Sequence, residues 1–293
     1  MKTKIRIIVN PISGSGRRKR AIRMVNEYLD KEKFEFEIVE TQRHRHAIEL
    51  TKQAIADGCK AVVIAGGDGS INQVGAALAG TQVALGIIPA GSGNGLARSL
   101  NISLDPKKAV QNINNFNLKT IDTGLANGQS FMNMSGVGFD AAVSNAFHSQ
   151  RLRGLFKYFL LGLKTLREYK LQTYKIIADG RTFEREAYLI ALANSSQYGN
   201  DALVAPKAKV DDGMLDAVVV NNFPFYQFFV LFYRLFRGTL DQSPYIKTFK
   251  FKHLTIEQER DDVAHLDGDP YPLGRTIEVT INPLSLKVIV PNE

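Results

Sequence analysis

The chain has 293 residues, 44% hydrophobic and 23% charged, which is ordinary for a globular protein and long for a single core, so two domains are expected. Its one cysteine, Cys59, excludes an internal disulfide and points to a reducing, cytoplasmic setting. No apolar run reaches the roughly 18 residues of a spanning helix, Ile5 to Val9 is too short for a signal-peptide core, and a formal charge of +8 suits anionic partners: nucleic acid, an acidic membrane surface or phosphorylated substrates.

The first 120 or so residues alternate between two periods. "KIRIIVN" reads as a strand, Gly16 to Leu29 as a helix, and "FEFEIVET" as a strand with one solvated face. Ala47 to Ala56 reads as helix, "AVVIAGG" as a buried strand, Ser70 to Leu78 as helix and "VALGIIPAG" as a fourth strand. Asp105-Pro106 carries a helix cap and a first-turn proline. Such alternation implies a parallel sheet covered on both faces, with ligands at the carboxyl ends of its strands. All three glycine-rich segments fall at such ends: "NPISGSG", "GGDGS" and "PAGSGNG". Glycine lets backbone N–H groups approach phosphate oxygens, and a helix start adds a favourable dipole. The P-loop spacing and the dinucleotide-loop spacing are both absent. Arg17 to Arg20 is the densest basic cluster; a solvated helix face and a phosphate contact both fit it.

After about Ile121 strand-like pieces dominate: "QSFMNMSGVG", "YKIIADG", "REAYLIALANS", "MLDAVVVNN", "TFKFKHLTIEQ", "DVAHLDGD", "TIEVTINP" and "LKVIVP". Their spacing predicts an antiparallel sandwich or barrel. Residues 1–121 and 122–293 are therefore expected to form separate domains. Two segments interrupt the strands. Arg151 to Tyr169 is helical in period, with Leu155, Phe159, Leu163 and Leu166 on one face and Arg153, Lys157 and Lys164 on another. Phe223 to Phe236 holds 8 of the 27 aromatic residues. For both, a membrane surface and packing within the protein or a dimer fit equally well.

"NPISGSG", "TQRHRHA", "GGDGS", "PAGSGNGLARSL", "NMSGVGFDA", "APKAKVDDGMLD" and "HLDGDP", in that order, resemble the diacylglycerol kinase catalytic domain family, which includes sphingosine and ceramide kinases and bacterial lipid kinases. The resemblance covers nearly the whole chain. It implies an α/β nucleotide-binding domain followed by a mostly antiparallel β-sandwich domain, the NAD kinase/diacylglycerol kinase-like fold, with the last strand, 284–293, returning to the first domain. It implies ATP and Mg²⁺ as cofactors. The partner it implies is a lipid acceptor at an anionic membrane surface rather than nucleic acid, with the protein peripherally attached and a homodimer open.

By that resemblance Asn10, Pro11, Ser13, Gly14, Thr41, Gly66, Gly67, Asp68, Gly69, Ser70, Asn72, Gly91, Ser92 and Asn94 line the nucleotide site; a helix cap fits Thr41 as well. An acid beside phosphates needs a cation between them or a contact to a phosphate-binding group, so Asp68 implies one of these. A tight turn with Asp68 capping the next helix is the alternative. Asp267 is expected to take the proton of the lipid hydroxyl, with Asp269 as a metal-side partner; a hairpin turn fits the same residues. Asp212, with the carbonyls of Lys209 and Met214, resembles a structural Mg²⁺ loop, and a hairpin turn fits there too. Asp140 matches the region that reads the acceptor's polar head in sphingosine kinases, or caps a turn. Two departures stand out: Gly95 follows Asn94 where many bacterial members carry an acid, and Ser70 replaces a commoner Thr. A soluble-substrate kinase of the NAD kinase type, sharing "GGDG", and a non-catalytic lipid- or nucleotide-binding regulator are the competing functions.

Overall fold

The computed structural model describes residues 2–11, 16–139, 155–260 and 264–292; Ser13, Gly14 and Asp140 lie outside them, as do the side chains of 155–159. The chain divides into two units, Met1–Asp122 with Leu284–Glu293, and Thr123–Pro283.

In the first unit β1 (Thr3–Val9), β2 (Phe34–Glu40), β3 (Ala61–Gly66) and β4 (Ala84–Pro89) form a parallel sheet in the order β2-β1-β3-β4. Ile7 of β1 is level with Ile38 on one side and Val63 on the other. Every residue of β3 and β4 is buried, as strands must be when helices cover both faces. Only the edge strand β2 alternates, with Phe34 buried and Glu35 and Glu37 exposed. Helices α1 (Arg17–Tyr28), α2 (His46–Ala56) and α3 (Asp68–Leu78) make the crossovers, followed by α4 (Gly95–Ser99) and α5 (Pro106–Asn115). Ala21, Met24 and Val25 of α1 and Ala109, Val110 and Ile113 of α5 share one core cluster with Ile5, Ile7 and Val63. A fully buried side chain of this kind contributes about 1.5–3 kcal/mol. Asp105 caps α5 by accepting from the amides of Lys107 and Lys108, with Pro106 in the first turn, as the dipeptide implied.

The second unit contains the end of β5 (Leu118–Ala126), then β6 (Gln129–Phe131), β7 (Met134–Gly138), α6 (Leu155–Glu168), β8 (Gln172–Ala178), β9 (Arg181–Ala193), β10 (Leu215–Asn221), α7 (Gln227–Arg237), β11 (Ile246–Phe251), β12 (His253–Gln258), β13 (Ala264–Leu266), β14 (Asp269–Tyr271) and most of β15 (Thr276–Ile289). The strands run β14-β13-β7-β9-β8-β12-β15, and β10 pairs with both β9 and β11. These pairings are antiparallel. Phe131, Tyr174, Ile190, Leu192, Phe251 and Ile256 fill the core. α6 and α7 add a second cluster built on Leu166, Phe223, Phe228 and Leu231.

Three strand expectations change, the first being "QSFMNMSGVG", which is two strands, β6 and β7, broken at Met132-Asn133, whose amides the Asp267 carboxylate takes. "TFKFKHLTIEQ" is two strands, broken at Lys252, because the Asp179 carboxylate takes the amides of Lys252 and His253. That break lets β11 pair with β10 while β12 pairs with β8 and β15. "TIEVTINP" and "LKVIVP" are instead one strand, β15. Past Pro283, Leu284 adopts φ 45° and donates its amide to the fully buried Asp122 Oδ1 at 2.7 Å. Val288 then pairs in parallel with Leu85 of β4, so the chain's end belongs to the first unit.

Candidate active site

In the first unit the loops after β1, β3 and β4 lie at one edge of the sheet, the carboxyl ends of parallel neighbours. Asn10 donates its backbone amide to Ala65 O at 3.0 Å and its side-chain Nδ2 to Ser70 Oγ at 2.7 Å. The Ser70 hydroxyl, retained where Thr is commoner, thus ties the loop after β1 to the start of α3. The β3 and β4 loops meet even more closely. Ala90 N donates to Gly66 O at 2.8 Å. A Cβ added at Gly91 would stand 2.6 Å from Gly67 Cα, so these two glycines let one backbone lie on another.

Asp68 completes this join. Its Oδ2 accepts from Asn94 N at 2.8 Å and its Oδ1 from Gly95 N at 2.7 Å. The helix after "GGDG" starts at Asp68 itself, with Gly67 as cap residue and no side-chain cap. Asp68 therefore caps α4, not its own helix. Of the contacts open to it, the geometry supplies one to the glycine loop after β4. Asn94 holds φ 53°, accepts from Gly91 N at 3.0 Å and donates to Gly91 O at 3.1 Å, closing the loop on itself. Two arginines brace it from outside. Arg17 donates to Ala90 O at 3.0 Å and Gly91 O at 2.6 Å, and Arg98 to Gly93 O at 3.1 Å. Arg17 was legible only as one of a basic cluster. Arg98 left no signal, because its partner is a backbone carbonyl.

Gly69, Asn72, Gly91 and Pro11 are part-exposed and Ser92 is exposed around this edge. The first turn of α3 carries amides that no helical carbonyl can take, beside a closely packed glycine cradle, and that donor set fits a phosphate chain. Thr41 donates its amide to Val9 O at 3.0 Å at the end of β2. His46 Nδ1 accepts from Gln42 N at 3.1 Å at the start of α2. Among the described residues no group of three His, Cys, Asp or Glu could hold a metal.

In the second unit "HLDGDP" is a hairpin with φ 49° at Asp267 and 89° at Gly268. Asp267 is buried. Its carboxylate accepts from the amides of Met132, Asn133 and Met134, each at 2.8 Å. Ser135 Oγ donates to His265 O at 2.8 Å, and Asn133 Nδ2 to Gln197 O at 3.1 Å. "NMSGVG" and "HLDGDP", over 130 residues apart, thus form one rigid assembly. Asp269 opens β14, partly exposed. The hairpin that fits these residues is present, with Asp267 buried in its turn and Asp269 part-exposed after it.

The Asp212 turn meets a different cation from the one the resemblance implies. Asp212 Oδ1 accepts from Met214 N at 3.1 Å, while its Oδ2 lies 2.9 Å from Lys250 Nζ, which also pairs with Asp216 at 2.8 Å. As placed, Lys250 already neutralises this carboxylate, so a Mg²⁺ held by Asp212 and the carbonyls of Lys209 and Met214 would have to displace its part-exposed ammonium.

Residues 4–126 match the family model for the diacylglycerol kinase catalytic domain, and residues 133–290 that for the YegS C-terminal NAD kinase beta sandwich-like domain. A diacylglycerol kinase of Mycobacterium tuberculosis is 29% identical over 98% of this chain and 95% of its own length. A "Probable lipid kinase YegS-like" of Pseudomonas aeruginosa is 29% identical over 84% of this chain and 81% of its own. The chain spans 65% of the length of an uncharacterized Synechocystis protein, sll0036, to which it is 29% identical. The crystal structure of a diacylglycerol kinase from Bacillus anthracis superposes with TM-score 0.79 at 23% identity, covering 98% of this chain and 97% of that one, which shows the shared fold. Fold and family define a phosphotransferase with an alcohol group as acceptor. The chain belongs to the family in which a diacylglycerol kinase catalytic domain precedes a YegS C-terminal domain.

Proposed function

We propose that this protein is an ATP- and Mg²⁺-dependent lipid kinase that transfers the γ-phosphoryl group to the hydroxyl of a diacylglycerol- or sphingoid-type lipid at a membrane surface. The observation that carries the reading is the Asp68 join between the β3 and β4 loops, which builds a glycine cradle at the carboxyl edge of the sheet. Phosphoryl transfer needs the phosphates held and an alcohol positioned in line, with little covalent help.

In this reading the backbone at Gly66–Ser70 and Gly91–Asn94 holds the phosphates, and Asn10 keeps the first loop registered against Ser70. Mg²⁺, if bound with the nucleotide, would neutralise phosphate charge, with Asp269 as its protein-side partner. Asp267 is assigned the proton of the acceptor hydroxyl. Its three amide contacts keep the carboxylate in one orientation but also occupy three of its lone pairs, so the part-exposed Asp269 is the other candidate for the base. Asp269 assists beside it.

A panel of diacylglycerol, sphingoid base, ceramide and phosphatidylglycerol with labelled ATP tests the proposal. Label is expected in at least one lipid, and none in a folded sample would overturn it. The NAD kinase likeness of the second family model supports one other reading, phosphorylation of NAD. NADP formation without lipid product would replace the proposal with that reading.

A further inference from the structure

Apart from Gln227, Arg234 and Arg237, every residue of α7 is aromatic or aliphatic. Phe228 and Leu231 face the core of the second unit. The opposite side is also apolar yet open: Tyr226 and Tyr233 are 64% exposed, Phe229 50%, Phe225 43% and Val230 41%. With Leu160 of α6 at 46%, α6, α7 and the turn before α7 hold six of the nine exposed large hydrophobic side chains among the described residues. Positions 229, 230 and 233 fall on one side of α7, and 225 and 226 lie in the turn that leads into it. A contiguous apolar patch of this kind marks an interaction surface.

The charge around the patch identifies the occupant. The described side chains of α6 and α7 include Lys164, Arg167, Arg234 and Arg237 against a single acid, Glu168. Arg167 lies over the Phe225 ring at 5.4 Å, so one of these cations borders the aromatic face directly. The two helices touch at Gly162, where an added Cβ would be 3.5 Å from Phe228 Cζ. No described helix is long and apolar enough to cross a membrane, and eleven residues span only about 16 Å. A helix with aromatic and aliphatic groups on its outer side and basic residues around them lies in the plane of an anionic interface, tyrosine hydroxyls toward the headgroups.

We infer that the outer face of α7, Phe225 to Tyr233, is the surface by which this protein docks on an anionic bilayer, with Arg167 and Arg237 engaging lipid phosphates at its margin. This deepens the lipid-kinase reading by naming where the membrane is met, and rests on it only in supposing that a bilayer presents the acceptor.

The test is flotation of the full chain with phosphatidylcholine vesicles and with phosphatidylcholine–phosphatidylglycerol vesicles. Wild type is expected on the anionic vesicles, with binding weakened by salt. F229S/Y233S changes two exposed side chains, so thermal unfolding should stay near wild type while anionic-vesicle binding falls about tenfold or more. R237E should weaken binding to anionic vesicles only. Phosphorylation of a short-chain acceptor dispersed as monomers should be unchanged in F229S/Y233S. If that variant floats like wild type, the inference is overturned. It is equally overturned if wild type is a dimer that the substitutions dissociate while vesicle binding persists, because a second copy then covers the face. Flotation without phosphorylation of any lipid would leave the docking surface standing and remove the kinase reading instead.

Discussion

Asp267 and Met134 bond to each other in both directions: Asp267 N donates to Met134 O at 2.7 Å, and Met134 N donates to Asp267 Oδ1 at 2.8 Å. With the amides of Met132 and Asn133 on the same carboxylate, this residue holds together two segments distant in sequence.

That geometry changes what Asp267→Asn does. An asparagine oxygen can keep two of the three amides, but its NH₂ must then face a third N–H. The mismatch leaves a buried donor unsatisfied, at about 1–3 kcal/mol. A melting temperature several degrees lower is expected, together with a fall in kcat of about 10²-fold or more if this residue is the base. Asp269→Asn, on a partly exposed residue, should leave stability nearly unchanged. Calorimetry beside single-turnover kinetics separates the two effects. An Asp267→Asn protein as stable as wild type would contradict the three-amide contact.

Gly91→Ala tests the loop packing. The new Cβ would meet Gly67 Cα at 2.6 Å, backbone against backbone, so one loop must move. A loss of about 1–3 kcal/mol is expected, with nucleotide affinity reduced at least tenfold. Asp68→Asn should act in the same direction by placing an NH₂ against an amide of α4, at about 0.5–2 kcal/mol for the lost cap. Nucleotide titration by calorimetry reads both. Unchanged affinity in Gly91→Ala would separate this cradle from the phosphates.

The Lys250 cluster predicts a pH dependence. Burial opposes the charge of Lys250, but the hydrogen bonds it donates to Asp216 and Asp212 outweigh it and raise its pKa above the lysine value of 10.5. Its stabilising contribution is therefore whole below 10.5 and is lost as pH rises through the folded value. Asp216 is raised too, since burial outweighs the pull of Lys250. That contribution is whole below 3.8 and gone once pH passes the folded value, so at neutral pH the buried carboxylate is a cost that Lys250 limits. Lys250→Met should destabilise by about 1–2 kcal/mol at neutral pH, Lys250 being part-exposed. Most of that deficit should vanish toward about pH 4, as Asp216 protonates. Urea unfolding at the two pH values checks this, and an equal deficit at both would refute it.

The same cluster predicts how Mg²⁺ acts without nucleotide. While Lys250 occupies the carboxylates, Mg²⁺ or EDTA should leave the melting temperature of the second unit unchanged. In Lys250→Met, Mg²⁺ should raise it, because the two acids then lack a cation. A rise in wild type that Asp212→Asn abolishes would show instead that the ion displaces the lysine.

The α/β character of the first unit, and the three glycine loops at its strand ends, were legible in the residues, because hydrophobic period and glycine placement are local signals. Asp105-Pro106 is a cap in the sequence and in the structure for the same reason. What Asp68 touches was not legible. Its partners are backbone amides 26 and 27 residues away, and an amide has no residue identity to read. The three amides on Asp267, and Lys250 standing at the Asp212 turn, were hidden in the same way, since strand pairing brings them together from distant parts of the chain. Within one aromatic run, only packing divides Phe228 and Leu231, which the core takes, from Phe229 and Tyr233, which it leaves outside. Local pattern thus determined which elements and chemical groups exist, while the contacts between them, set by the burial of distant surfaces against each other, determined which partner each group has.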